Sequence, residues 1–493
     1  MKKVIVIGGG IAGLSAGIYA QKSGFNVTIL ESQNKAGGNC TSWKRNSYLF
    51  EGGMHWLSGS SKKEDLYKMW RYVGALDDSV KIHYPEPFIE YDHHGAPFRF
   101  YRDVDTTEKH LISLAPEDEK EIRKLCKNIR RMQNLSLPIS DLRGVKATRK
   151  VRPSLAQLFS ALSALFLMRD FAKISREAYI GRFSNEGIRD FMRACTTEIN
   201  GVLPIFFTMG ALARGDGGFP EGGSIPFVER ITNTFTDLGG KILYNTRADR
   251  ILIKNCIATG VLIGDEVISA DAVIVTADTL AIDYLFEAPL KAYWLDEMRA
   301  VTKPTMNILI SLGVAADLKK YPKTGIFKLA KPITLAAQTY EYLSINNYAC
   351  DPVYSPKGKT ALTISLGGDT YDFWKKAKAE GRYAAEKQQL SEAVINVLTG
   401  LIPEVAGQVE VCDIATPLTY ERYCANWKGS WMTEMTADMK MKKYPTTVKG
   451  LSGVYFAGQR MMPPGGLPVA LMTGRSAAQY LCRDTDVVFI SEE

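Results

Sequence analysis

Gly8-Gly9-Gly10-Ile11-Ala12-Gly13 sets glycines in G-x-G-x-x-G order directly after the β-branched run Lys3–Ile7. In that pattern the first glycine allows a tight turn and the second lets backbone approach a pyrophosphate. The third lets a helix pack closely on a strand. A phosphate held there meets free N–H groups and the positive end of a helix dipole. Glu31 ends the next apolar run, Val27–Leu30. A carboxylate at that place accepts hydrogen bonds from ribose hydroxyls and disfavours a 2′-phosphate. Gly8, Gly10, Ala12, Gly13, Glu31 and the adjacent Ser32 therefore predict a dinucleotide site that is not built for NADP.

The choice between FAD and NAD rests on later residues. Gly37-Gly38-Asn39 follows Glu31 closely, and Gly52-Gly53-Met54-His55 follows Phe50-Glu51. Glycine pairs so placed let a second loop cross the pyrophosphate and the flavin, which an NAD site does not require. The predicted cofactor is FAD, with Gly37, Gly38, Asn39, Gly53, Met54 and His55 beside it. Near the C-terminus, Pro463-Pro464-Gly465-Gly466 opens a helix at Leu467. Its free N–H groups would face a bound group, and reduced flavin carries negative charge near N1. Such a dipole favours the reduced anion and hydride arrival at N5.

The elements that position these residues can be outlined from pattern. Lys3–Ile7 and Val27–Leu30 read as strands flanking a helix over Leu14–Lys22. A second α/β block covers 224–276. There Ser224 can cap a helix with an apolar stripe ending at Gly239-Gly240, and β runs follow at 247–253, 256–263 and 272–276. A third block joins a strand at Val454–Ala457 to a helix at about 467–482. The stretches 81–214 and 286–444 are richer in aromatic and basic residues. The expected fold is α/β: a Rossmann-like FAD-binding domain of glutathione-reductase type with an inserted α+β substrate domain. The nucleotide domain would comprise 1–80, 215–285 and 445–493, and the substrate domain 81–214 and 286–444.

With these motifs in hand, the chain resembles the phytoene desaturase family. That group includes carotenoid isomerases and retinol saturase within the amine-oxidase-like flavoproteins. The resemblance lies in the Gly8–Glu31 fingerprint with Gly37-Gly38, in Gly217-Gly218-Phe219-Pro220-Glu221-Gly222-Gly223, and in Ala457-Gly458-Gln459 with Pro464-Gly465-Gly466-Leu467-Pro468. It implies pyrophosphate contacts from Gly8, Gly10 and Gly13, and ribose contact from Glu31. It also implies backbone contacts to adenine from a strand around Arg247–Ala248. Gly458, Gln459, Gly466, Leu467, Pro468 and Ala470 would lie beside the isoalloxazine. Many relatives carry an arginine where Asn39 stands, and Phe50–Gly59 looks closest to the saturase form. This departure shifts the resemblance toward saturase or isomerase and away from desaturase chemistry. Amine oxidases and protoporphyrinogen oxidases share the scaffold. So does the GDP-dissociation-inhibitor family, which binds prenylated proteins without catalysis.

The substrate side is less explicit. His55 is the one histidine inside a cofactor motif, and it either faces the flavin and substrate as a catalytic candidate or serves packing. His93-His94 on a strand would point to opposite faces, against a metal site. The eight cysteines never reach CxxC spacing, which favours reduced thiols over disulfides or zinc. A net charge of +8, with 53 acids along the chain, gives no nucleic-acid signature. Nothing in the sequence sets an oligomeric state.

The N-terminal apolar run is too short for a secretory segment, and no run reaches the ~20 residues of a membrane span. The expectation is a cytoplasmic protein that can touch a membrane from one side. Arg143, Lys146, Arg149, Lys150 and Arg152 precede the mostly apolar Leu155–Met168. As a helix that run spans about 21 Å. It suits docking on anionic lipid, and equally a buried core helix behind a solvated basic loop. Gly201–Ala213 suits a tunnel lining or core packing. The predicted substrate is a long apolar molecule of polyene, carotenoid, retinoid or lipid type, changed by desaturation, saturation or isomerisation.

Overall fold

In Lys3–Ile7 the four apolar residues Val4, Ile5, Val6 and Ile7 are all buried. A strand apolar on both faces belongs at the centre of a parallel sheet covered on both sides. The computed structural model, which describes residues 1–135, 139–150, 154–171, 174–196, 202–434 and 442–492, places it there. The sheet runs Val454–Phe456, Ala272–Val275, Lys3–Ile7, Asn26–Leu30, Lys241–Leu243, with every pairing parallel. Its strands come from three separated stretches of chain. The helix Ile11–Lys22, three residues longer at its start than the pattern suggested, crosses between the first two strands.

That helix is buried from Ile11 to Ala20, because it lies between the sheet and two further helices. Close approach is possible only through small residues. A Cβ on Gly474, in the helix Leu467–Asp484, would stand 2.4 Å from the Ala12 carbonyl oxygen. A Cβ on Gly17 would meet the Phe235 ring at 2.9 Å, from the helix Ser224–Asp237. The Ser15 hydroxyl donates to the Leu471 carbonyl at 2.8 Å. The result is a Rossmann-like α/β layer.

Four details of the sequence reading change. Ser224 is not the cap: Gly223, at φ 63°, precedes the helix, and the Ser224 hydroxyl turns away to Glu51. The strand expected from 247 starts at Arg250, so Arg247–Ala248 form an extended link instead. Within the 224–276 block two strands went unread, Lys241–Leu243 and Glu266–Ser269; the first has only three residues and offers no periodicity. Finally, the strand Ile89–His93 ends before His94, whose φ is 53°. The two imidazoles therefore sit 5.0 Å apart rather than on opposite faces.

The second sheet has seven strands in the order Val409–Ala415, Asn307–Val314, Thr360–Gly367, Gln338–Asn347, Thr324–Leu335, Ile89–His93, Ala96–Phe100. All pairings are antiparallel except that of Thr324–Leu335 with Ile89–His93. One face carries Ile310, Leu312, Ile345, Leu362 and Ile364 against helices Tyr371–Ala379 and Tyr383–Leu401. Alternation turns the other residues to the opposite face. There the register sets Ser311, Thr363, Asn346 and Thr324 in one row across four strands. Ser311 and Thr363 are fully buried in that row.

Candidate functional site

The glycine turn owes its shape to missing side chains. Gly8 has φ 105°, and a Cβ on Gly13 would stand 1.9 Å from the Gly8 carbonyl oxygen. The Gly9 N–H donates to Glu31 Oε2 at 2.7 Å, while Glu31 Oε1 accepts from the Gln33 N–H at 2.8 Å and from Ser32 at 3.3 Å. The second loop closes on the first through the Gly37 N–H, which donates to the Gly9 carbonyl at 2.9 Å. Thr246 N–H donates to the Glu31 carbonyl, so the link bearing Arg247 and Ala248 runs past Glu31. Ala248 is buried, and the Arg247 guanidinium lies 4.9 Å from the centre of the Tyr284 ring.

Gly10 is different. Its φ of −73° suits any residue, and a Cβ there would meet nothing closer than 3.9 Å. Neither backbone nor packing requires glycine at this point. The space kept clear lies at the N-terminus of Ile11–Lys22, where the first N–H groups have no intrahelical acceptor. A pyrophosphate would fit that space and could use those donors. The residues present thus fit a dinucleotide.

The C-terminal glycines form a matching end. Gly466, at φ 92°, begins Leu467–Asp484 and also has open space at its missing Cβ, the nearest atom being 3.8 Å away. Gly458 N–H donates to Thr473 Oγ1 at 3.0 Å. Thr276 joins the two glycine turns, because its hydroxyl reaches the Ile7 and Gly8 carbonyls at 2.9 and 3.0 Å and its own carbonyl lies near Gly458. Beside them Arg460 forms a bidentate pair with Asp278 at 2.6 and 2.7 Å, both side chains being almost wholly buried. Arg460 also donates to Ser430 and Thr433, tying the chain from 427 to 433 onto this end.

The loop expected over the flavin is held by Glu51, which the sequence reading quoted without a role. Its Oε1 accepts from the N–H groups of Gly53 and Met54 at 2.9 and 2.8 Å and from the Ser224 hydroxyl at 2.5 Å. Its Oε2 accepts from the Ser224 N–H at 2.9 Å and the Tyr354 hydroxyl at 3.0 Å. Burial pushes this carboxyl up, and the donors from Ser224, Met54 and Gly53 oppose the shift. Gly53 is glycine because the chain crosses it: a Cβ would stand 2.1 Å from the Asn39 carbonyl oxygen. The Asn39 side chain accepts from Asn426 at 2.7 Å. Met54 is fully buried.

His55 follows on the same loop, with Nδ1 buried and without a hydrogen-bond partner. Burial, and then the charge of Lys323, bring the imidazole down to about 4, so it is neutral near pH 7. Among the described residues no carboxylate hydrogen-bonds its Nδ1. Elsewhere His83 Nε2 lies 3.2 Å from Glu221, and with Asp351 their ligand atoms fall within 4.8 Å of one another. Lys81 already pairs with Glu221 at 3.1 Å, and Asp351 accepts from the Gly222 and Val353 N–H groups. These partners compete with any metal.

The helix Leu155–Phe171 is not a buried core helix. Leu155, Leu158, Phe159, Leu162, Leu165 and Phe166 share one exposed face, Leu155 and Phe159 being 75% and 71% exposed. Arg143, Lys146, Arg149 and Lys150 before it are exposed too; Arg152 lies outside the described residues. The basic segment before it is tied to the C-terminal tail. Phe489 N–H donates to the Lys146 carbonyl at 2.7 Å, and Thr148 N–H donates to the Phe489 carbonyl at 3.0 Å. The second apolar stretch forms the helix Leu203–Ala213, half of it packed in the core, while Gly201 lies outside the described residues. Among the described residues no helix is long and apolar enough to cross a membrane.

Residues 11–482 match the model of the family described as flavin containing amine oxidoreductase. All-trans-retinol 13,14-reductase of Danio rerio is 23% identical, over 93% of this chain and 82% of that protein. The 4,4'-diaponeurosporene oxygenase of Staphylococcus aureus is 22% identical, over 97% and 98% of the two chains. Phytoene desaturase (lycopene-forming) of a Paracoccus species is 25% identical over 57% of this chain and 55% of its own. Among solved structures, putrescine oxidase bound to putrescine superposes with a TM-score of 0.59 at 15% identity, covering 98% of this chain and 99% of its own. An oxidoreductase from Methanosarcina mazei gives 0.56 at 18%, covering 96% and 99%. These structural likenesses establish the fold.

Proposed function

We propose, from the premise that this chain belongs to the flavin containing amine oxidoreductase family, that it is an FAD-dependent oxidoreductase acting on a long apolar polyene or lipid-like molecule. When bound, FAD supplies the two-electron centre that exchanges a hydride with a substrate carbon. The chain's own residues bind, orient and shield. Gly8, Gly10, Ala12 and Gly13 receive the pyrophosphate, and Glu31 with Ser32 the ribose. Gly37, Gly38, Asn39, Gly53 and Met54 cover the dinucleotide, and Arg247–Ala248 run along the adenine side. Gly458, Gln459, Gly466, Leu467, Pro468 and Ala470 present the helix end to the isoalloxazine.

In this reading residues 1–80, 215–285 and 445–493 hold the nucleotide, while 81–214 and 286–444 hold the substrate. A neutral His55, whose Nδ1 no carboxylate hydrogen-bonds among the described residues, supports catalysis by positioning and flavin electrostatics rather than by proton transfer. Asn39, engaged with Asn426 where many relatives have arginine, favours saturation or isomerisation over desaturation.

The observation that carries the substrate class is the exposed apolar face of Leu155–Phe171. Six large apolar side chains turned to water beside a basic segment fit the surface of an anionic membrane, from which an apolar substrate can be drawn. The relatives named for retinol, diaponeurosporene and phytoene support the same class.

The test is anaerobic. The purified yellow protein is reduced with dithionite and mixed with all-trans-retinol or a carotene in micelles. Return of the oxidised flavin bands, with a polyene product two mass units heavier, is expected. Colourless protein that takes up no FAD supports a prenyl-binding module instead. Reduction of the oxidised flavin by amines, with no response to polyenes, supports an amine oxidase.

A further inference from the structure

Lys323 stands just before the strand Thr324–Leu335 and is 9% exposed, yet its ammonium has no hydrogen-bond partner. It lies 3.8 Å from the centre of the Tyr348 ring and 5.1 Å from that of Phe219. Two carboxylates are near enough to act on it through space, Glu51 and Asp351. Neither reaches it, because both are taken by other donors. Glu51 accepts from Gly53, Met54, Ser224 and Tyr354, and Asp351 from Gly222 and Val353. Burial draws the ammonium down to about 8. The Tyr348 ring offsets part of the cost of burying this cation, and an anion arriving from outside would offset the rest.

The surroundings repeat the same shortage. His55 Nδ1 is buried and unpartnered, as is the Ser311 hydroxyl in the transverse row, while the Tyr348 hydroxyl turns to Thr363. Tyr348 shares that row's face, two residues beyond Asn346 in the same extended run. Lys323 and His55 come from different parts of the chain, the second sheet and the loop expected over the flavin. Lys323 lies near enough to His55 for its charge to act on the imidazole, so the two face a seam between the layers, where ligand sites concentrate.

We infer that this seam receives a carboxylate, so that the substrate is an apolar chain with one anionic end, held by Lys323 with His55 and Tyr348 beside it. The inference rests on the apolar-substrate reading above and narrows it. Carboxylate paired with ammonium makes a charge-assisted hydrogen bond, and a neutral imidazole or phenol can donate a second one. The apolar remainder is then oriented by its head, and Lys323 is a specificity-determining residue.

The test compares all-trans-retinoic acid with its methyl ester, titrated into the holoprotein. Binding is followed by the flavin difference spectrum and by tryptophan quenching. The acid should bind at least about tenfold more tightly than the ester. Lys323→Met should remove that preference without weakening the ester, and Lys323→Arg should keep part of it. Equal binding of acid and ester to the unaltered protein overturns the inference while leaving the apolar reading intact, and needs no variant to fold. A preference that persists in a folded Lys323→Met protein overturns it as well. Failure of both ligands to bind removes the apolar reading and this inference together.

Discussion

The glycine cradle and the Lys323 seam are both buried meeting points of distant chain segments, and they treat polar groups in opposite ways. In the cradle, Glu31 accepts from Gly9, Gln33 and Ser32, and Gly37 closes back on Gly9. In the seam, His55 Nδ1 and Lys323 Nζ have no hydrogen-bond partner among the described residues. A site whose polar groups are satisfied within the protein is stiff before its ligand arrives. A site left unsatisfied relies on the ligand to complete it. On the proposed reading, the difference leaves cofactor binding preorganised and discrimination among substrates to the seam.

The contrast is broken most severely at Gly13. Gly13→Ala drives a methyl into the Gly8 carbonyl, at 1.9 Å from its oxygen. The expected cost is about 3 kcal/mol of stability, with loss of bound FAD. Thermal melting and the flavin content of the purified protein check this. Retention of full FAD occupancy would show that the cradle is more pliable than the comparison requires.

Glu31→Gln tests the charge rather than the shape. It removes the anionic acceptor of the Gly9 N–H and of the ribose, so FAD affinity should fall about tenfold to a hundredfold. Titration of the apoprotein measures it, and lysine discrimination between acid and ester should be unaffected.

The smallest change in stability is expected at the far side of the inserted region. Replacing Leu158, Phe159 and Leu162 together by Ser should cost only about 1 kcal/mol of stability, mostly lost helix propensity, since these side chains are half or more exposed. Flotation with vesicles containing phosphatidylserine should drop sharply. Unchanged flotation would mean that this apolar face is not the membrane contact.

The cradle was legible because its geometry is local. Gly8, Gly13 and Glu31 lie within one strand–helix–strand passage, and the steric reason for each glycine acts across a few residues of backbone. The Arg247–Ala248 link was misread as a strand because short apolar runs in a β-rich stretch have no internal boundary. Glu51, Thr276, the Asp278–Arg460 pair and Lys323 were not singled out. Each is an ordinary residue in its own neighbourhood, and its partners lie far away in sequence. Gly10 was legible, yet only the structure shows that its missing side chain serves nothing within the chain.

The helix Leu155–Phe171 marks the same boundary. Its length and apolar character follow from sequence, but its residues are apolar nearly all round, so periodicity could not say which face the core would cover. The sequence by itself determined the dinucleotide turn, the main strands and helices of the nucleotide-binding layer and the family to which they belong. These depend on backbone sterics and on hydrogen bonding between near neighbours. Only the tertiary structure decided that a helix would keep Leu155 and Phe159 in water, and that a lysine would be buried with its two nearest carboxylates already engaged. Those outcomes depend on which distant surfaces meet, and no local pattern carries that information.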